Sequence, residues 1–209
     1  MKLHSDSFSD GDEIPGRLAF CVPDPDQHAT TGGNRNPHLR WSGAPSGTRS
    51  FAIVCHDPDV PSRPDDVNHE GRSVPADLPR VDFFHWLLVD IPASVTDIPE
   101  GADSDGVTER GKPLERTDLG RRGRNDYTAW FEGDDSMSGD YGGYDGPCPP
   151  WNDERMHHYH FTVYALDVER LELTDRFGGS DVRDAIRGHV LAEASLVGTY
   201  TLNPALRGG

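Results

Sequence analysis

The chain has 209 residues and a mass of 23.0 kDa, enough to bury about 70% of its unfolded surface and leave roughly 9,600 Å² exposed, so one domain over residues 1–209 with one real core is expected. Thirty-six Asp and Glu against 20 Lys and Arg give a net charge of −16, and the only lysines are Lys2 and Lys112. This excess argues against nucleic acid and anionic membrane surfaces as partners, and suits concentrated salt, where the Debye length falls to about 3 Å.

No stretch approaches the roughly 20 apolar residues of a membrane span, and the N-terminus lacks a basic segment followed by an apolar one. Three cysteines, Cys21, Cys55 and Cys148, cannot all pair within one chain. The expectation is therefore a cytoplasmic protein in a reducing compartment, with no integral membrane association and no structural zinc.

In chain order, Arg17 to Val22 predicts an early edge strand among loops. Leu39 to Ser42 and Ser50 to Cys55 predict a strand pair across the Gly43-Ala44-Pro45-Ser46-Gly47 turn. Val81 to Ile91 is the longest apolar run, too aromatic and β-branched for a helix, and predicts a central strand. Thr96 to Asp126 is rich in Gly, Asp and Arg without a period, which predicts a functional or mobile loop, its 96–122 part an acidic insertion. His158 to Leu166 alternates as a strand does. Ser180 can cap a helix whose apolar positions, Val182, Ala185, Ile186, His189, Val190, Ala192 and Ala194, recur at helical spacing. Ser195 to Leu202 closes the chain as a strand. Strands first and one or two helices late point to a mainly β domain.

Four places put polar chemistry where burial or a constrained turn is expected. In Asp57-Pro58-Asp59-Val60-Pro61, prolines restrict φ and the preceding residue, so the carboxylates are held in place, for a ligand or for turn amides. His85 sits inside the apolar run, where each ring nitrogen needs a partner. In Met156 to His160, alternation turns His157 and Tyr159 to one face and His158 and His160 to the other. Gly146-Pro147-Cys148-Pro149-Pro150 is a rigid wall offering backbone N–H groups only at Cys148 and Trp151 beyond Gly146; neither its glycines nor its flanks make a P-loop.

Asn36 to Trp41, Asp57 to Ser62, His85 to Pro92, Gly123 to Tyr127, Gly146 to Pro150 and His157 to Asp167 resemble, in order, the phosphatidylethanolamine-binding protein family, closest to its bacterial and archaeal Raf kinase inhibitor-like branch. Gly188 to Ala192 and Gly198 to Tyr200 extend the resemblance to about residues 34–202. It implies a large antiparallel sheet packed on a smaller one, with Greek-key connections, a C-terminal helix and an anion pocket at one end of the sheet. It places ligand-binding roles on Asp57, Asp59, Phe83, His85, Gly146, Pro147, Cys148, Pro149, His157 and Tyr159, and suggests a homodimer. The chain departs from the family pattern in Trp151 to Met156, which replaces a usually glycine-containing turn, and in the lengthened 96–122 linker.

Aspartate beside two histidines favours their protonated form, and imidazolium donates to phosphate or carboxylate oxygens. One ring nitrogen held by Asp57 would leave the other for the ligand. The reading is non-enzymatic binding of a small anion, such as phosphate, a phospholipid headgroup or a carboxylate, in a possible regulatory role and without a cofactor. The alternatives are a hydrolase using Asp57, His85 and His157 as acid and base, a Zn or Mn site on Asp57, Asp59, His85 and His157, and a protein-interaction module of kinase-inhibitor type. No convincing nucleophile supports the hydrolase.

Overall fold

A computed structural model describes residues 1–207. Its exposed surface, 9963 Å², matches the area expected for a compact chain of this mass. The strands are β1 (Lys2–His4), β2 (Cys21–Asp24), β3 (His28–Thr31), β4 (Leu39–Ser42), β5 (Ser50–Pro61), β6 (Arg80–Pro92), β7 (Asp97–Ile98), β8 (Arg121–Arg122), β9 (His157–Leu166) and β10 (Val190–Tyr200). The helices among the described residues are α1 (Tyr127–Trp130) and α2 (Gly179–Ala185), with a final 3-10 turn at Pro204–Leu206.

The larger sheet runs β10-β9-β5-β6-β8 and the smaller β1-β4-β7, both antiparallel, while β2 and β3 form a separate ribbon. Setting late β9 beside early β5 is the Greek-key connection. Alternation sorts the larger sheet's side chains. Phe51, Ile53, Trp86 and Phe161 meet Leu39, Trp41 and Ile98 of the smaller sheet, and Trp41 stands edge-on to Phe51 at 5.2 Å. On the opposite face Ala52, Val54, Phe84 and Leu87 pack against Phe177 and Val182. A methyl on Gly179 would lie 2.2 Å from the Phe84 ring, so glycine lets α2 approach the sheet.

Four expectations fail for physical reasons. Strands β4 and β5 do not pair, because Gly43 and Gly47, both at positive φ, turn the chain from one sheet to the other. Arg17 to Phe20 is a turn, and the strand starts only at Cys21. The late helix stops at Ala185, with Gly178 rather than Ser180 at its N-cap; beyond Gly188 at φ +86, residues 190–194 join β10, whose ladder against β9 outweighs the local helical spacing. Thr96 to Asp126 contains β7 and β8, and its Asp103 is buried, accepting hydrogen bonds from Trp86 Nε1 (2.7 Å) and Arg122 Nε (2.8 Å).

The thiols differ as well. Cys21 and Cys148 form a disulfide, and only Cys55 is free. The odd count left one cysteine over, as expected, but it did not exclude a pair. Cysteine usage therefore gives no sign of a reducing compartment. No helix among the described residues is long and apolar enough to cross a membrane.

Candidate functional site

Two irregularities in the β5–β6 ladder aim the polar groups inward. The register shifts between Cys55 and His56, and again between Asp57 and Val60. Cys55 opposes Trp86 and His56 opposes Phe84, which leaves His85 without an opposite residue. Such bulges bend a strand and re-aim side chains. The edge of β6 is completed there by loops: Asp145 N donates to His85 O (3.0 Å), and Asp126 N donates to Phe84 O (2.9 Å).

Asp57, His85, His157 and Tyr159 converge, all buried, at the base of a cavity of about 830 Å³. Its walls are Phe20, Phe83, Tyr127, Trp130, Phe131 and Met137, with Cys148, Pro149 and Pro150 along one side. Thus α1 and the loop after it build an aromatic wall over a polar floor. Tyr127 faces Phe83 edge-on at 5.3 Å and stacks on Phe20 at 4.5 Å.

His157 is the hub of a buried charge chain. Its Nδ1 donates to Asp57 Oδ2 (2.6 Å) and its Nε2 to Asp153 Oδ2 (3.1 Å). Arg80 grips both oxygens of Asp153, through Nη1 at 2.5 Å and Nη2 at 3.0 Å. Burial alone would lower the His157 pKa, but Asp57 and Asp153 outweigh it and raise it to about 9. Burial likewise works against the Asp57 carboxylate, and the His157 charge overrides it and holds its pKa below the ordinary value. Asp57 Oδ1 also accepts from Asp59 N (2.8 Å), so the turn role and the site role coexist.

His85 is the opposite case. Its Nδ1 donates to the Asp145 carbonyl (2.8 Å), and burial pushes its pKa down to about 4 although Asp57 pulls upward. A carbonyl accepts only from N–H, so the neutral ring carries its proton on Nδ1 and presents Nε2 as an acceptor. His85 and Tyr159 both line the cavity, and the Tyr159 hydroxyl hydrogen-bonds the Asp57 carboxylate. The two rings lie edge-on, 5.0 Å between centroids.

The floor therefore departs from the sequence reading in three ways. His157 has no nitrogen left for a ligand. The two histidines differ in charge, one held cationic and one neutral. Asp59 turns away from the cavity, pairing with His158 Nδ1 (2.8 Å) and Arg155 (3.4 Å). Gly146 and Pro147 also stand behind the wall rather than in it. Gly146 N donates to Asn34 Oδ1 (2.8 Å), its carbonyl accepts from the Tyr127 hydroxyl (2.7 Å), and Pro147 O accepts from Phe20 N and Cys21 N. The Trp151 N–H is occupied by Asn68 Oδ1 (3.1 Å), so of the two donors expected in this loop Cys148 alone remains. Asp57, Phe83, His85, Cys148, Pro149, His157 and Tyr159 line the cavity.

Among the described residues no three His, Cys, Asp or Glu side chains assemble to hold a metal. The residues missed by the sequence reading are Asp153, Arg80 and the α1 wall. Asp153 lies in the segment singled out only as a departure from the family pattern, and nothing local marks Arg80.

The architecture is that of a two-sheet β protein with a cavity opening beside the bulged strands of its larger sheet. A family model for phosphatidylethanolamine-binding proteins matches residues 4–201, and the chain belongs to that family. It is 32% identical over 202 residues to UPF0098 protein YbhB of Escherichia coli, covering 96% of this chain and all of that one. A UPF0098 protein of Methanothermobacter thermautotrophicus is also 32% identical, over 96% of this chain and 98% of its own. Among solved structures, Escherichia coli YbcL, described as a new member of the mammalian PEBP family, superposes with a TM-score of 0.67 at 28% identity, covering 96% of this chain and 97% of that one. The PEBP homologue CT736 of Chlamydia trachomatis gives 0.61 at 26% identity, with 95% of each chain covered.

Proposed function

We propose that the cavity binds a small ligand through an oxyacid group, phosphate or carboxylate, without turning it over, and that an apolar portion of the ligand rests on the α1 wall. The observation that carries this reading is the convergence of Asp57, His85, His157 and Tyr159 on the floor of one cavity whose wall is aromatic. A cavity with an apolar wall and a few convergent polar groups is the usual form of a small-molecule site. The family's name points to a phosphate-bearing headgroup, and the floor suits one.

Binding rather than hydrolysis is favoured by the same contacts. His157, the better placed base, has both nitrogens engaged by carboxylates. Cys148 is tied in a disulfide, and the Cys55 thiol is buried, which raises its pKa well above the ordinary thiol range.

Calorimetric titration with inorganic phosphate and with phosphorylethanolamine in molar salt tests the reading. Binding to the native chain that His85→Ala and Tyr159→Phe both abolish is the expected result. Absence of binding, or binding indifferent to both substitutions, overturns it.

A further inference from the structure

The Cys21–Cys148 disulfide stands in the wall of the cavity, and both cysteines are partly exposed there. The Cys55 thiol, by contrast, is sealed in the core. Thiol–disulfide exchange needs access to a sulfur, and a bond facing an open cavity meets whatever thiol enters.

The bond joins two segments of unequal stiffness. Cys148 sits between Pro147 and Pro149, whose rings fix φ. Its neighbour Gly146 is tied on both sides, its N–H to Asn34 Oδ1 (2.8 Å) and its carbonyl to the Tyr127 hydroxyl (2.7 Å). Cys21 instead opens β2, and the β2–β3 ribbon belongs to neither sheet. No residue of either ribbon strand is buried, and a lone two-stranded hairpin is marginal in water. Besides the disulfide, Cys21 N donates to Pro147 O (3.1 Å), the Tyr200 hydroxyl donates to Cys21 O (2.8 Å), and the His28 ring stacks on Trp151 at 3.8 Å. Movement of the ribbon reaches the cavity through Phe20, which stacks on Tyr127 (4.5 Å) and packs against Phe131 (5.9 Å).

We propose that the Cys21–Cys148 bond is a thiol-exchange site: a low-molecular-weight thiol entering the cavity opens it, the ribbon comes away from the proline wall, and the cavity holds its ligand less tightly. The last step rests on the ligand reading above; the first two do not. The thiolate of the entering molecule attacks one sulfur and forms a mixed disulfide, while the other cysteine leaves as thiolate and takes a proton from water. A second thiolate attacks the small molecule's sulfur, the symmetrical disulfide departs, and the freed cysteine is protonated. Two thiols are thus oxidised to one disulfide, and the protein pair gains two electrons and two protons.

The test treats the oxidised chain with millimolar 2-mercaptoethanol in molar salt, without denaturant. Mass spectrometry should find an adduct of one thiol molecule on Cys21 or Cys148 early in the reaction, and iodoacetamide should then label these two residues while Cys55 stays unlabelled. Amide hydrogen exchange over residues 21–31 should quicken about ten-fold or more, with β5, β6 and β9 unchanged. With the reduced ribbon docked about one tenth of the time, the Kd for inorganic phosphate should rise about ten-fold in calorimetry. His28→Ala, which removes the Trp151 stack and leaves both sulfurs in place, should speed opening by the thiol. A bond that resists the thiol until the chain is denatured, a ribbon as protected after reduction as before, exchange that rises equally in the sheets, or a phosphate Kd unchanged by reduction overturns the proposal. An oxidised chain that binds no phosphate fells the ligand reading instead, and labelling and exchange then decide the thiol site by themselves.

Discussion

Replacing His157 with leucine keeps the volume and removes the cation between Asp57 and Asp153. Both carboxylates are almost wholly buried, as is the imidazole. Raising the His157 pKa from 6.5 to about 9 on folding corresponds to about 3 kcal/mol at 1.36 kcal/mol per unit. Breaking a buried pair by deleting one partner typically costs 3–5 kcal/mol, because the remaining charge is stranded. His157→Leu should therefore destabilise by about 3–5 kcal/mol near pH 6. The sign with pH follows from linkage. A raised histidine pKa gives stability that is complete below 6.5 and is lost as pH climbs to about 9, while the lowered Asp57 pKa gives stability lost as pH falls below the ordinary carboxylate value. In the variant Asp57 lacks its partner, so its pKa rises and acid relieves the strain. The gap between native and variant should thus be widest near pH 6 and narrow on both sides. Urea unfolding at constant molar salt, from pH 3 to 9.5, measures it. A gap below about 1 kcal/mol, or one that does not change with pH, would refute the buried charge chain.

Other perturbations have equally definite outcomes. The Cys21–Cys148 bond closes a loop with a sequence separation of 127, so the Cys21→Ser/Cys148→Ser double variant should lose about 2–5 kcal/mol in urea unfolding; equal stability would mean the pair is not formed in solution. Gly146→Ala would place its methyl 2.1 Å from the Leu18 carbonyl oxygen, and the thermal midpoint should fall by the equivalent of about 1–3 kcal/mol; an unchanged midpoint would show that the wall is looser than drawn. With a net charge of −16, the native chain should melt lower when salt drops from molar to tens of millimolar, and an unchanged melting temperature would end the reading of salt adaptation.

Much of the site was legible because its residues break their local pattern. His85 interrupts an apolar run, Asp57 is held before a proline, and His157 and Tyr159 share a strand face by simple alternation. Strand β9 declared itself by the same alternation, and β5 and β6 by dense apolar runs rich in aromatic and β-branched residues. Long-range contacts did not. Asp153 and Arg80 acquire meaning only once β6 and the turn before β9 meet around His157, and the disulfide needs a ribbon and a proline-rich wall brought together. The direction of each histidine's charge was also invisible, since it depends on whether a carboxylate or a carbonyl faces the ring. Residues 190–194 show competing periods: Ala192 and Ala194 fit a helix through 3.6 and a strand through 2, and pairing with β9 decides. The tract from 96 to 122 reads as loop because it is polar, yet its polar groups are spent on buried partners such as Trp86 Nε1 and Asn36 Oδ1.

The most direct measurement is a crystal structure of the chain with phenyl phosphate at pH 6. The phosphorus should lie on the cavity floor, with one oxygen within hydrogen-bond distance of His85 Nε2, another within reach of the Tyr159 hydroxyl, and the ring against Phe83 and the α1 wall. Phosphate seated elsewhere, or held by His157 after it has left Asp57 or Asp153, would contradict the account.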